Sequence, residues 1–533
     1  LKNSVTALTQ RKDLLTLGIL IVITVAVRLP GVFNRAIWYD ESITLLETAG
    51  NAIPQWSPSP TTASTQKQLL VGSPTLREIT AGLRQTDVHP PVYYGLLSLW
   101  RRIAGGSLET ARLFSVISST ATVILFYLLL RISGSRFPMV PSLVYSLTSG
   151  AVHYSHEARN YSLALFFIFS ASMFAYLAII YVNRHQQFFW IFSFMMSLFL
   201  GLSFLTNYLS IFPLLFLLLW YVLWLPKTHR VLSVPFMLMA LGISLLGLST
   251  LAAQLGARPN QFQREIPFVQ ELGKIIKFNF EMIWNPITSN IGVRIALGAA
   301  VFTLAMTGFS YVRNSWHTVD KRLFTMMTGL AIVPSAGVLL LDLAFSKSLG
   351  KSSYVFFAGP AVVYLLTLAI NDRTDRGAHG SSRATVSFGH TVAVVVPFFI
   401  GLQLTGINFD LERTPGFAGS TLRSLARRID SSSPTPMVVI GAGHGRGDPA
   451  SLIYELRPDT MVCVLERGSD VSILSSQLTD FADIWIVFAR GRVTAAVEAS
   501  LVESLTSGGN YRVTSKSVRF AHLTRPPRPH KLG

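Results

Sequence analysis

The chain has 533 residues, of which 50% are hydrophobic and only 14% charged, and it carries a formal net charge of +18. A soluble globular chain has about 25% charged residues, so this balance excludes a wholly soluble protein. It also makes nucleic acid an unneeded partner, because lysine and arginine gather in the cytoplasmic loops of membrane proteins and hold their orientation. The single cysteine, Cys463, excludes an intrachain disulfide and a cysteine-built metal cage.

Nearly uncharged runs of about 17 or more residues recur through the first three quarters of the chain, each able to cross a ~30 Å hydrocarbon core as a helix. The pattern predicts an α-helical multi-pass membrane protein with about eleven spans. Lys2, Arg11 and Lys12 precede the first, 14–29, which places the N-terminus in the cytoplasm. This run lacks a small-residue cleavage site and more spans follow, so it reads as a retained anchor. Residues 43–87 are polar and proline-rich, a surface loop with short helices at most. The apolar run 88–104 is short, proline-led and broken by Arg101 and Arg102, so it is expected to lie along the outer face.

Spans are then expected at 113–130, 137–152, 161–182, 187–204, 209–225 and 231–253, with the short polar break Thr206-Asn207-Tyr208 between two of them. Residues 254–290 form a second large outer loop, in which 266–284 has the alternating apolar and charged faces of a helix lying on the membrane. Four more spans follow at 291–311, 323–345, 353–370 and 389–405. This gives a transmembrane module over 1–405, with outer loops at 31–112, 153–160 and 254–290.

Residues 406–533 read as a small soluble extracytoplasmic domain. Met437-Val438-Val439-Ile440, Met461 to Leu465 and Asp483 to Phe488 are buried-strand runs, and 493–507 is helical. Alternation of this kind predicts an α/β layer. The glycine-rich Gly441 to Gly447 segment follows a strand but breaks the G-x-G-x-x-G spacing at Arg446, so it is not read as a nucleotide loop.

Three polar clusters fall on one side of this topology. In Trp38-Tyr39-Asp40-Glu41 two adjacent carboxylates follow aromatics of the kind that anchor at the membrane interface. A carboxylate there can act as general base toward a hydroxyl, and its neighbour can orient that hydroxyl or help hold a cation. The second cluster runs from Asp87 through His89, Pro90 and Pro91 to Tyr93; a helix start explains the prolines but not Asp87 and His89. The third is His156-Glu157-Ala158-Arg159, with Tyr161 beyond it. Arg159 can pair with phosphate, and Glu157 can position substrate or, with Asp40, hold a divalent metal through oxygen. Lys274, Lys277, Lys347 and Lys351 are basic residues on the outer side, suited to anionic headgroups or to a donor phosphate.

In order, the motifs Trp-Tyr-Asp-Glu, His-Pro-Pro-Val-Tyr-Tyr, Glu109-Thr110-Ala111-Arg112-Leu113 and Tyr-Ser-His-Glu-Ala-Arg-Asn-Tyr resemble the polyprenyl-phosphate-sugar-dependent glycosyltransferases of the GT-C fold, a group that includes protein O-mannosyltransferases and lipid A aminoarabinose transferases. The resemblance implies transfer of a sugar from a lipid phosphate to an acceptor hydroxyl on the outer leaflet of the plasma (inner) membrane, with inversion. It implies Asp40 as general base, Glu41 as its neighbour in acceptor positioning, and His89 in the wall of the site. Glu157 and Arg159 become the acidic and basic partners of the second loop. The chain departs from the pattern at His156, where relatives often carry glutamine. It departs again near 353, where Ser353-Tyr354, with Lys351 nearby, replaces an arginine–tyrosine pair. A protein, glycan or lipid acceptor is equally compatible, and so is any of several sugars. No cofactor is required, with a divalent metal left open. The competing reading is a transporter or flippase of lipid-linked sugars. That reading needs charges or broken helices within the spans, which here are largely clean apart from Asp342.

Overall fold

The computed structural model describes residues 11–135, 137–257, 267–283, 319–345, 356–368, 419–441, 447–465, 470–488, 495–507, 509–517 and 520–526. Contacts divide the chain into two compact units. The first takes Leu1–Phe33, Asp87–Tyr93 and Arg112–Asp410, and the second takes Asn34–Thr86, Tyr94–Ala111 and Leu411–Gly533. Residues 34–86 and 94–111 thus cluster with the C-terminal ones, a partition that no single cut in sequence order describes.

The first unit is helical. Among the described residues six helices are long and apolar enough to cross a membrane: Asp13–Asn34, Leu108–Ile132, Tyr161–Tyr181, Gln186–Phe204, Lys227–Ala257 and Lys321–Ala344. Tyr208–Trp224 and Phe356–Leu366 are apolar but shorter. This is a membrane protein. The first helix runs through Pro30 to Asn34, past the expected end at 29. The expected span 137–152 is instead two short helices, Met139–Ser146 and Ser149–Ser155, because the chain turns extended at Thr148. Phe268–Ile283 is the expected amphipathic helix, and Pro91–Ala104 is a helix outside the set of spans. The expected spans 291–311 and 389–405 lie outside the described residues, as do Lys347, Lys351 and Tyr354.

Close backbone approach and a few polar clips hold the helices together. A Cβ on Gly329 or Gly337 would fall within the rings of Phe216 or Phe212, so the Lys321–Phe345 helix meets Ile211–Trp224 at a distance only glycine permits. Trp220 and Trp224 both donate to the Thr325 hydroxyl at 3.0 Å across that seam. Asp13, in the first turn of its helix, accepts from Tyr127 and pairs with Arg131 at 3.3 Å. Arg28, like Arg112, is a buried charged residue within a span besides Asp342. It is fully buried and donates to Ser119 Oγ at 3.2 Å and to the carbonyls of Thr24 and Ser146 at 2.9 and 3.0 Å.

The second unit is built on a six-stranded sheet of order β1-β3-β2-β4-β6-β5. Its strands are β1 (Thr61–Thr62), β2 (Met437–Gly441), β3 (Met461–Leu465), β4 (Asp483–Val487), β5 (Arg512–Lys516) and β6 (Phe520–Thr524). The central strands β3, β2 and β4 are parallel and almost wholly buried, which is why they read as unbroken apolar runs. The helices Gly419–Ser432, Gly447–Glu455, Val471–Leu478 and Ala495–Ser507 accompany them. From the first-loop residues, β1 pairs antiparallel with the edge of β3, and Ser57, Ala63 and Ser64 add backbone hydrogen bonds to Val464, Thr460 and Pro458.

Cys463 sits in the core of this sheet, where burial pushes its thiol up to about 12. Only the thiolate reacts. The native protein in detergent at pH 8 is therefore expected to resist maleimide and to label fully once denatured. Rapid labelling of the native protein would contradict this packing.

Candidate active site

In the second unit the helix Tyr39–Thr48 starts immediately after Trp38, whose extended backbone sets its first turn. Asp40 and Glu41 occupy that turn, where a helix favours negative charge, yet their environments differ. Glu41 is fully buried, and its carboxylate reaches back to accept the Trp38 amide N–H at 3.3 Å. Asp40 is half-buried, and its carbonyl accepts from Thr44 Oγ1 at 3.0 Å, which keeps the turn closed. Of the adjacent pair, Glu41 braces the helix from a fully buried position, while Asp40 is half-buried. Tyr39 lies against Gly447, where any Cβ would come within 2.8 Å of its carbonyl oxygen.

Arg101, on the Pro91–Ala104 helix, is buried in the same unit. Its guanidinium donates to Thr48 Oγ1 and to the carbonyls of Leu45, Leu70 and Gly106. The sequence reading took this arginine only as a break in an apolar run. It in fact gathers three segments of the first loop around the end of the Asp40 helix.

In the first unit the second and third motifs are brought together. Asn160 Nδ2 lies 3.4 Å from His89 Nδ1 and donates to the Thr206 carbonyl at 2.7 Å. Gln254 Nε2 donates to the His89 carbonyl at 2.9 Å, and the Val92 amide donates to Leu205 at 3.1 Å. The His-Pro-Pro segment is therefore moored at Leu205 and Thr206, where the polar break Thr206-Asn207-Tyr208 begins. Asp87 is buried and caps the amide of Val88 at 2.6 Å. Glu157 is buried and meets His153 Nε2 at 3.0 Å, one helical turn before it. Its carbonyl accepts from Ser115 Oγ at 2.6 Å. Arg159 is buried beside it in sequence, its amide donating to the Glu157 carbonyl at 2.7 Å.

His156 is buried against Gly31, where a Cβ would fall within the imidazole ring. Tyr93 packs 6.0 Å from the Phe114 ring, and Tyr161 stands 5.1 Å from Tyr154, which in turn touches Phe356 at 4.7 Å. Lys274 is partly exposed and pairs with the buried Glu271 at 3.2 Å on its own helix. Asn160, Gln254 and His153 were not singled out from sequence. The His153–Glu157 spacing of four was the available signal for one of them, whereas Gln254 is 165 residues from its partner and left none.

Burying histidine, glutamate and arginine within a few residues is costly unless they are paired or serve a site. The cluster can present a cation to an anionic group and supply neighbouring donors and acceptors. Among the described residues no three His, Cys, Asp or Glu side chains group as a metal site. The oxygen donors named from sequence, Asp40 and Glu157, stand one in each unit.

Comparison with known proteins bears on this arrangement. Residues 88–253 match the family model described as dolichyl-phosphate-mannose-protein mannosyltransferase, a segment that holds the whole His89–Arg159 cluster. Two solved structures of ArnT from Cupriavidus metallidurans cover 96% of this chain and 98% of their own at 11% identity. The apo state gives a TM-score of 0.54, and the state bound to undecaprenyl phosphate gives 0.53. The chain has the GT-C glycosyltransferase fold. The GT-C fold that the resemblance implied is thereby shown. A search of curated proteins finds no match. Within this GT-C fold the second and third motifs meet where Asn160 lies against His89, and the first heads a helix braced from inside by Glu41.

Proposed function

We propose that this chain is a membrane glycosyltransferase that moves a sugar from a polyprenyl-phosphate donor to an acceptor hydroxyl at the outer face of the plasma membrane. The observation that carries the reading is the burial of His89, Glu157, Arg159 and Asn160, with Asn160 meeting His89 and Glu157 meeting His153, inside the segment that matches the mannosyltransferase family model. The solved neighbour with undecaprenyl phosphate bound supports the class of donor. Asp40 takes the proton from the acceptor hydroxyl as its oxygen attacks the anomeric carbon. The bond from that carbon to the phosphate oxygen breaks, the configuration inverts, and polyprenyl phosphate leaves. Arg159 offsets the charge that grows on the phosphate, and His89, Asn160, Glu157, Tyr93 and Tyr161 shape the donor side. Lys274, Lys351 and Tyr354 complete the set proposed to meet the donor. In this reading the C-terminal α/β part also lies outside the membrane.

The test is to offer the purified protein in detergent a panel of polyprenyl-phosphate pentoses and hexoses with protein, glycan and lipid acceptors. One donor class is expected to be consumed with glycosylation of an acceptor. Intact donors throughout, with the protein folded, would count against the reading.

A further inference from the structure

The reaction above assigns no role to the C-terminal residues, yet within the second unit they grip the segment that bears Asp40 from both sides. On one side, Glu455 accepts the Ile37 amide at 3.0 Å while pairing with Arg423 through two contacts at 2.7 and 3.1 Å. The Arg423 guanidinium in turn donates to the carbonyls of Asn34 and Arg35 at 2.6 and 3.2 Å. One ion pair thus fixes three backbone groups immediately before Trp38. On the other side, Ser42 Oγ donates to the Gly447 carbonyl at 2.9 Å and accepts from Ser451 Oγ at 3.0 Å. Gly447 leaves room for Tyr39 where a methyl group would strike both its ring and its carbonyl oxygen. The residues held on the two sides, 34–37 and 42, bracket Asp40.

We propose that Arg423, Glu455, Gly447 and Ser451 are positioning residues for transfer: the C-terminal α/β part holds the first turn of the Asp40 helix at a fixed place and angle. The proposal rests on the reading of Asp40 as the base. A general base must lie within hydrogen-bond reach of its proton, and a displacement of about 1 Å can cost ~100-fold in rate. Two anchors that are hundreds of residues away in sequence and bind mainly to backbone fit that requirement. They fix the chain on both sides of Asp40.

The test compares full-length Gly447→Ala, the exchanged pair Arg423→Glu with Glu455→Arg, Leu501→Ala as a core control in the same unit, and Asp40→Asn. Transfer kinetics and thermal unfolding are measured for each. Gly447→Ala is expected to lower kcat roughly 10- to 100-fold with the donor KM little changed. Leu501→Ala is expected to lower the melting temperature and leave kcat per folded molecule intact. The exchanged pair keeps opposite charges but reverses the hydrogen-bonding roles. An arginine at position 455 cannot accept from Ile37, and a glutamate at position 423 cannot donate to Asn34 and Arg35, so kcat per folded molecule stays low. Wild-type kcat in Gly447→Ala or in the exchanged pair, with Asp40→Asn inactive, would overturn the positioning role alone. Full transfer by Asp40→Asn would overturn both this proposal and the assignment of the base.

Discussion

Replacing Asp40 with asparagine is expected to lower kcat by about 100- to 10,000-fold, the span that general base catalysis ordinarily supplies, while the donor KM changes little. Asparagine keeps the shape of the side chain and the backbone carbonyl that accepts from Thr44, so the helix should survive. It removes the negative charge and with it the capacity to take a proton. Glu41→Gln is the informative partner. Its side-chain oxygen can still accept the Trp38 amide, so the brace persists and the loss in rate should be far smaller. Steady-state kinetics on both variants, with thermal unfolding as the folding check, separates the roles. A severe loss in Glu41→Gln beside a mild one in Asp40→Asn would move the base to position 41.

Arg101→Met is expected to destabilise the second unit by about 3–5 kcal/mol, because each hydrogen bond from a charged group is worth ~1.5–3 kcal/mol and losses within one network do not add fully. Methionine keeps the aliphatic stem but leaves Thr48, Leu70 and Gly106 without the guanidinium, and Leu45 with its bonds from the Ala49 amide and the Thr48 hydroxyl. For a unit of this size the melting temperature should fall by about 10 °C. The end of the Asp40 helix should become more open to amide exchange than the Tyr161–Tyr181 helix of the first unit. An unchanged melting temperature would show that the arginine is not what gathers the loop.

What the sequence revealed and what it hid follow from the range of the forces involved. The helix Tyr161–Tyr181 and the strands β2, β3 and β4 were legible because burial in lipid or between two layers writes itself as an unbroken apolar run. The break at Thr148 was not, since hydropathy reports the polarity of a stretch and not its dihedrals. The motifs around Asp40, His89 and Glu157 were visible because charged and polar residues are expensive beside a membrane. That Glu41 is fully buried while Asp40 is half-buried depends on the phase of a helix start. β1 has two residues and exists only because Val462 and Met461, some 400 positions later, offer an edge. Glu455 looked like any helix-terminal carboxylate, and its bond to Ile37 spans 418 positions. Pairings of that range leave no local pattern.

The most direct test of the central claim is the stoichiometry of the products. A purified preparation is given a polyprenyl-phosphate sugar labelled in both the sugar and the lipid, together with its acceptor, and both labels are followed. The account predicts one polyprenyl phosphate released for each sugar that appears on the acceptor, with the opposite anomeric configuration and with neither product formed by Asp40→Asn. Intact donor carried across a liposome bilayer, both labels still on one molecule, would contradict it and make the chain a carrier of lipid-linked sugars.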